Sequence, residues 1–256
     1  MKNAFYRMAV LGAIAVCPLL CFAQKNISLG VKGGIDIPNL TAGGDAGSNP
    51  VSKGWSSRLG PYFGVVGVYN ITHKFGIQVE LNYSSQGGKK NGKQAIPTAD
   101  FTSNPPPGTP DYIYANFNSQ TKLNYIELPV MAKLNLPLGL GGKWHFFVQA
   151  GPYFGYLVAA KDVIKGTSNV YADEAETMPL TPQPVTIDET QDVKDDIKKF
   201  NVGIQGGAGV SVKAPLGRIL LTVGGNYGFI PIQKDKANGQ NNTGAANITL
   251  GYLFTL

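Results

Sequence analysis

The segment Phe75-Gly76-Ile77-Gln78-Val79-Glu80-Leu81-Asn82-Tyr83-Ser84 alternates without a break. Phe, Ile, Val, Leu and Tyr fall on one side and Gly, Gln, Glu, Asn and Ser on the other, a spacing that suits an extended strand with two unlike faces. The same alternation recurs over 27–36, 124–135, 144–158, 200–213, 219–229 and 245–255. It is less clean over 61–71, where Val66 and Val68 fall on the small or polar side. Eight strands are therefore predicted, joined by connections that alternate long and short. Thr72 to Lys74, the Gly-rich Leu136 to Lys143 and Ala214 to Gly217 are the short ones, each carrying turn residues or polar punctuation. An up-and-down meander follows, with tight turns at one end and long loops at the other.

Alternation alone leaves open which face points inward. In a water-soluble barrel the polar side is the outside and is dense in Lys, Glu and Asp. Here, away from strand ends, that side holds only Lys32, Asp36, Glu80, Glu127 and Lys133 among Gly, Ser, Asn and Gln. The whole chain is 15% charged, against roughly 25% in ordinary soluble domains. Such a surface cannot solvate a barrel, so the apolar side is assigned to lipid and the small polar side to a narrow lumen. The 33 glycines let the strands close tightly.

The N-terminus fits that destination. Lys2 and Arg7, the apolar stretch Met8 to Leu20 and the site Cys21-Phe22-Ala23 read as a secretory signal peptide over 1–23. The stretch is shorter than the roughly 18 apolar residues a spanning helix needs. Leu20 stands where a lipoprotein signal wants a small residue, so Cys21 is not expected to be lipidated. Cleavage after Ala23 removes both cysteines and leaves 24–256 as one barrel domain, without disulfides, thiolate catalysis or zinc–thiolate chemistry. It also leaves 20 basic against 16 acidic residues, an excess too small and scattered for a nucleic-acid partner.

Two aromatic groups mark the membrane boundaries. Tyr69, Phe75, Trp144, Phe146, Tyr252 and Phe254 lie near the short turns, and Tyr83, Phe154, Tyr156, Tyr227 and Phe229 near the long loops, as the girdles of an outer-membrane barrel do. The last strand, through Gly251-Tyr252-Leu253-Phe254-Thr255-Leu256, resembles the C-terminal signal read by the bacterial outer-membrane assembly machinery, with the usual final Phe displaced to Phe254. The expected fold is all-β: an eight-stranded antiparallel up-and-down transmembrane β-barrel of OmpA/OmpX-like size, in outer-membrane lipid and lipopolysaccharide, with both termini periplasmic.

Four segments carry a family resemblance: Gly30-Val31-Lys32-Gly33-Gly34-Ile35, Tyr125-Ile126-Glu127-Leu128-Pro129, Ala150-Gly151-Pro152-Tyr153-Phe154-Gly155-Tyr156 and Leu250-Gly251-Tyr252-Leu253-Phe254. Together they resemble the PorT-like outer-membrane β-barrel proteins of Bacteroidota, over nearly the whole chain after the leader. The resemblance implies an eight-stranded barrel and no shared activity. It also implies a basic residue before the aromatic of the seventh strand, where this chain has Gly225-Asn226-Tyr227, so no lumen pairing through that base is expected.

The candidate site is the lumen charge network of Lys32, Glu80, Glu127 and Lys133. An eight-stranded barrel is just wide enough for its own side chains, so these charges read as a salt-bridged plug in preference to an ion path. Glu127 is expected to pair with Lys133, Lys32 or both, and Pro129 to mark a bulge or kink. His73 and His145 lie at the turn end, away from any nucleophile and orienting acid at the long-loop rim, so no catalytic residue is assigned. The loop 159–198 carries nine of the 16 acidic residues without a calcium-loop motif and reads as a solvated acidic loop; no metal or cofactor is expected. Lys89, Lys90 and Lys93, with Pro105-Pro106-Pro107, stand in the loop 87–121, suited to anionic lipopolysaccharide or to the acidic loop. Two functions fit. One is a non-enzymatic surface protein whose long loops capture a protein or surface ligand or make envelope contacts. The other is a small transport pore or an accessory of a protein secretion complex.

Overall fold

Period two becomes strand throughout the chain. The computed structural model describes residues 26–42, 49–100, 107–139, 141–236 and 238–256; the expected signal peptide and Pro105-Pro106 lie outside them. The strands are β1 (Ile27–Ala42), β2 (Gly60–Asn70), β3 (Phe75–Pro97), β4 (Tyr112–Leu138), β5 (Trp144–Ser168), β6 (Val170–Tyr171), β7 (Val185–Asp192), β8 (Phe200–Ala214), β9 (Gly217–Gly228) and β10 (Asn241–Thr255). Eight of them close a ring, β1-β2-β3-β4-β5-β8-β9-β10, in which every neighbour is antiparallel. Closure is the β1–β10 pairing, which runs from Ser28↔Thr255 to Ala42↔Asn241. A closed ring leaves no unpaired backbone edge in hydrocarbon, the condition for crossing a bilayer with strands.

The outward set is apolar and exposed. Val31, Val65, Val79, Leu81, Ile204, Leu221, Val223 and Leu250 all lie on the outer surface. Aromatics flank them toward the loop end as contacting pairs, Phe63 with Tyr83 at 5.0 Å and Tyr156 with Phe200 at 5.2 Å between ring centres. Phe63 and Phe200 thus join a girdle that the alternation read without them. At the turn end Tyr252 meets Phe254 at 4.6 Å.

The long connections differ from the expectation. Segments 87–97 and 112–123 are the upper halves of β3 and β4, paired from Gly87↔Lys122 to Pro97↔Tyr112. The acidic loop likewise contains the end of β5 together with β6 and β7, with β7 paired to β5 from Lys161↔Asp192 to Ser168↔Val185. A crossing needs about 9–11 residues, whereas β3, β4 and β5 have 23, 27 and 25. One side of the barrel therefore rises beyond the membrane as a sheet of β3, β4, β5 and β7.

The bulge is not at Pro129. The β4–β5 register shifts between Asn124 and Tyr125, where Tyr125 faces Leu157, Asn124 faces Ala159 and Val158 is left unopposed. That extra residue inverts the inward phase of β5, so Leu157 and Ala160 are both fully buried although they differ by an odd number of positions.

Candidate functional site: the lumen and its two mouths

Inward positions of β3 give Gln78, Glu80, Asn82, Ser84 and Gln86, and those of β4 give Leu123, Tyr125, Glu127, Met131 and Lys133; all are buried. Long polar chains fit because glycines stand beside them across the ladder. Lys32 lies between Gly64 and Gly251, Glu127 beside Gly155 and Lys133 beside Gly76. Gly64 matters most, since it separates Lys32 on β1 from Asn82 on β3. With no side chain in between, the Lys32 ammonium passes over β2 to reach Glu80 at 2.5 Å.

Glu80 is the hub of the lower network. Besides Lys32 it accepts hydrogen bonds from Gln78 at 2.5 Å and Asn82 at 2.8 Å. The Gln78 carbonyl oxygen in turn accepts from the Lys133 ammonium at 2.7 Å, and that ammonium lies over the Phe147 ring at 4.2 Å. The Tyr62 hydroxyl accepts from Lys32, Asn82 and Gln205 at 3.3, 2.7 and 3.2 Å. Lys32, Glu80 and Lys133 thus belong to one connected cluster.

Glu127 belongs to another. Its carboxylate accepts from Gln86 at 3.1 Å and from Asn226 at 3.3 and 3.4 Å, and among the described residues it has no ion pair. Gln86 also donates to Ser84 at 2.9 Å, whose hydroxyl donates to Asp36 at 2.7 Å. The expected pairing of Glu127 with Lys133 or Lys32 is therefore corrected. Six positions along a strand span about 20 Å, which puts Lys133 out of reach, and Lys32 is held by Glu80. Asp36, which the alternation puts on the inward side but which the candidate network leaves out, joins the Glu127 cluster through Ser84. Asn226, where the family resemblance implies a base, supplies an amide instead.

A consequence follows for Glu127→Gln. A buried carboxylate without a cation gains little from its charge, and Gln86 Oε1 has no hydrogen-bond donor among the described residues. A glutamine amide supplies one. Urea unfolding of the refolded protein in detergent should place Glu127→Gln within about 1 kcal/mol of the parent, or above it. A larger loss would mean that the charge itself is needed.

Apolar layers close the polar ones at both ends. Toward the turns, Val66, Val68, Phe147, Leu220 and Leu253 pack as a belt, which explains why two valines break the alternation of β2. Large rings find room over inward glycines: a Cβ at Gly209 would lie 2.5 Å from Phe147, and one at Gly203 2.6 Å from Tyr153. Below the belt the lumen opens into a cavity of about 580 Å³ that is lined by both histidines, Lys133 and Arg218.

At the loop end Leu40, Leu123, Tyr125, Leu157, Ala160, Ile197 and Ile232 form a second cluster, with Trp55 and Val193 against it. Residues 49–59, between β1 and β2, cross this mouth as a strap. Ser56 and Lys89 exchange backbone hydrogen bonds at 2.8 and 3.0 Å, and Arg58 donates to Ser85 Oγ and the Gln86 carbonyl at 2.7 and 2.6 Å. Lys90 lies over Trp55 at 4.5 Å, and burial pushes its ammonium down to about 8. The segments 193–199 and 229–236 complete the cap, with Lys198 N–H donating to the Ile232 carbonyl at 2.8 Å. Lys93 does touch the acidic segment, donating to the backbone carbonyl of Glu174 at 2.7 Å.

The family that the sequence matches agrees with this architecture. Residues 22–234 match the family described as outer membrane protein beta-barrel domain. Among solved structures the chain is similar to Ail, the attachment invasion locus protein of Yersinia pestis (10% identity, 90% of this chain and 100% of that one, TM-score 0.36). It is also similar to OprG from Pseudomonas aeruginosa (10%, 91% and 99%, 0.39) and to Neisserial surface protein A (8%, 90% and 97%, 0.38). The sequence matches none of the curated proteins.

Proposed function

We propose, on the premise that this chain belongs to the outer membrane protein beta-barrel domain family, that it is a non-enzymatic membrane anchor presenting a protruding sheet for binding at the cell surface. The observation that carries this reading is the contrast between a lumen closed at the loop end and three strands more than twice the length a crossing needs. Short turns belong on the periplasmic side and long connections outside, so the β3–β4–β5–β7 sheet is extracellular. Its outer strand β7 is exposed at nearly every residue and carries Asp188, Glu189 and Asp192, with Lys165 paired to Asp188 at 3.1 Å. Charges on a sheet edge discourage indiscriminate strand pairing, which suits a surface selective about what it binds.

The four segments that resemble PorT-like proteins support a finer placement in that group of Bacteroidota. The basic, apolar and small-residue pattern of 1–23 supports export through a cleaved signal peptide, and the final strand supports recognition by the assembly machinery. Lysines near the strap suit contact with lipopolysaccharide. A pore has the filled lumen against it.

Excising 163–190 tests the reading. Lys161↔Asp192 and Asp162↔Gln191 are cross-strand pairs, so a two-residue Asn-Gly turn can rejoin the ends. The shortened chain should insert and resist heat unfolding like the parent, yet lose the partners that the full chain retains on cross-linking and purification from intact cells. Unchanged capture would place binding elsewhere.

A further inference from the structure

The cavity at the periplasmic mouth has a single sign of charge. Its ionisable lining groups are Lys133, Arg218, His73 and His145, with no Asp or Glu among the lining residues. Ion pairs among the described residues are Lys32–Glu80 and Lys165–Asp188, so neither Lys133 nor Arg218 has a direct ion-pair partner there; Lys133 reaches Glu80 only through Gln78. Lys133 is only 2% exposed, and a buried cation without an anion is costly. We propose that this vestibule binds a phosphate group presented from the periplasmic side.

Three features build the site. Arg218 is held by neutral acceptors: Nε donates to Ser211 Oγ at 3.0 Å, and Nη2 to the carbonyls of Lys143 and Ser211 at 3.0 and 3.2 Å. Its Nη1 has no acceptor among the described residues, so the guanidinium is oriented with donor capacity left over. Nη2, whose two N–H groups are shared among these carbonyls and a third acceptor, also lies 2.5 Å from His145 Nδ1. A guanidinium can only donate, so Nδ1 accepts, and the imidazole keeps its proton on Nε2 as a further donor. Lys133 spends one of its three N–H groups on Gln78.

The shape sets the ligand class. Two basic groups without an ion-pair partner among the described residues match the charge of a phosphate monoester or a phosphodiester head better than a neutral solute. A volume of about 580 Å³ exceeds a lone ion and falls within the roughly 300–1,000 Å³ of small-molecule sites. Val68, Leu220 and Leu253 belong both to the lining and to the belt, so the cavity is a dead end: a binding site and not a stretch of channel.

Calorimetric titration of the refolded full chain in neutral detergent tests this with three probes: inorganic phosphate, glycerol phosphate, and a short-chain phosphatidylglycerol kept monomeric. Binding is expected to weaken at least tenfold in Arg218→Gln and in Lys133→Met, and to stay unchanged in Lys165→Gln at the far end of the molecule. Binding of the soluble phosphates as tightly as the lipid identifies a free ligand, and binding of the lipid alone identifies a membrane headgroup; either supports the site. Absence of binding by all three at millimolar concentration overturns it. So does binding that the folded Arg218→Gln or Lys133→Met proteins retain in full, each variant's fold being checked by its heat-dependent gel mobility.

Discussion

Replacing Glu80 with methionine is expected to destabilise the barrel by about 3–5 kcal/mol, the usual cost of leaving one member of a buried ion pair uncompensated. The substitution strands Lys32, whose ammonium then keeps only the Tyr62 hydroxyl at 3.3 Å. It also frees the Gln78 amide, which holds the Lys133 ammonium from its other end. Lys32→Met should cost less, because Glu80 retains amide donors from Gln78 and Asn82. The double variant should recover most of the loss, since removing both charges removes the desolvation penalty with them. Urea unfolding of the four proteins in detergent measures the coupling directly. A Glu80→Met cost below about 1 kcal/mol, the range of solvent-exposed pairs, would show that water solvates the lumen and that the network is not a plug.

How much of this the sequence makes legible depends on how local the signal is. Which residues face the lumen follows from period two, and the inward placement of Lys32, Glu80, Glu127 and Lys133 can be read from each strand alone. Which of them meet cannot. A lumen contact joins different strands, and the register and stagger that decide it are independent of the alternation. The Lys32–Glu80 pair exists because Gly64, opposite Lys32, puts no side chain in the way, and among the described residues Glu127 has no ion pair because its neighbours across the ladder are Asn82 and Gly155.

The upper strands escape notice for a different reason. Gly87-Gly88-Lys89-Lys90-Asn91-Gly92-Lys93 has the composition of a loop, yet it pairs residue for residue with 116–122. Outside the lipid no apolar face has to be kept, so the alternation that reveals a crossing strand is absent. The cap left a fainter signal: Trp55 and Ile197 are isolated large apolar residues in otherwise polar segments, Ile232 closes the short apolar run Phe229-Ile230-Pro231-Ile232, and all three pack over the loop-end mouth.

Phe147→Ala separates the contributions of the belt and the cap. The ring is fully buried, rests over Gly209 and covers the Lys133 ammonium at 4.2 Å. Truncation should cost about 3–5 kcal/mol, as for other buried aromatic rings. Part of that is the lost cation–π contact, about 0.5–2 kcal/mol depending on desolvation. Phe147→Leu keeps most of the volume and should cost under about 1.5 kcal/mol, so the difference between the two variants measures the void. Without the ring, the cavity at the turn end joins the lower polar network around Gln78 and Glu80. It still ends below the cluster of Leu40, Leu123, Leu157, Ile197 and Ile232, which Phe147 does not touch. The alanine variant should therefore unfold at lower urea and yet show no steady current in single-channel recording, like the parent. Steady conductance in Phe147→Ala alone would make the belt the seal; conductance in the parent as well would remove the closed lumen on which the surface-anchor reading depends.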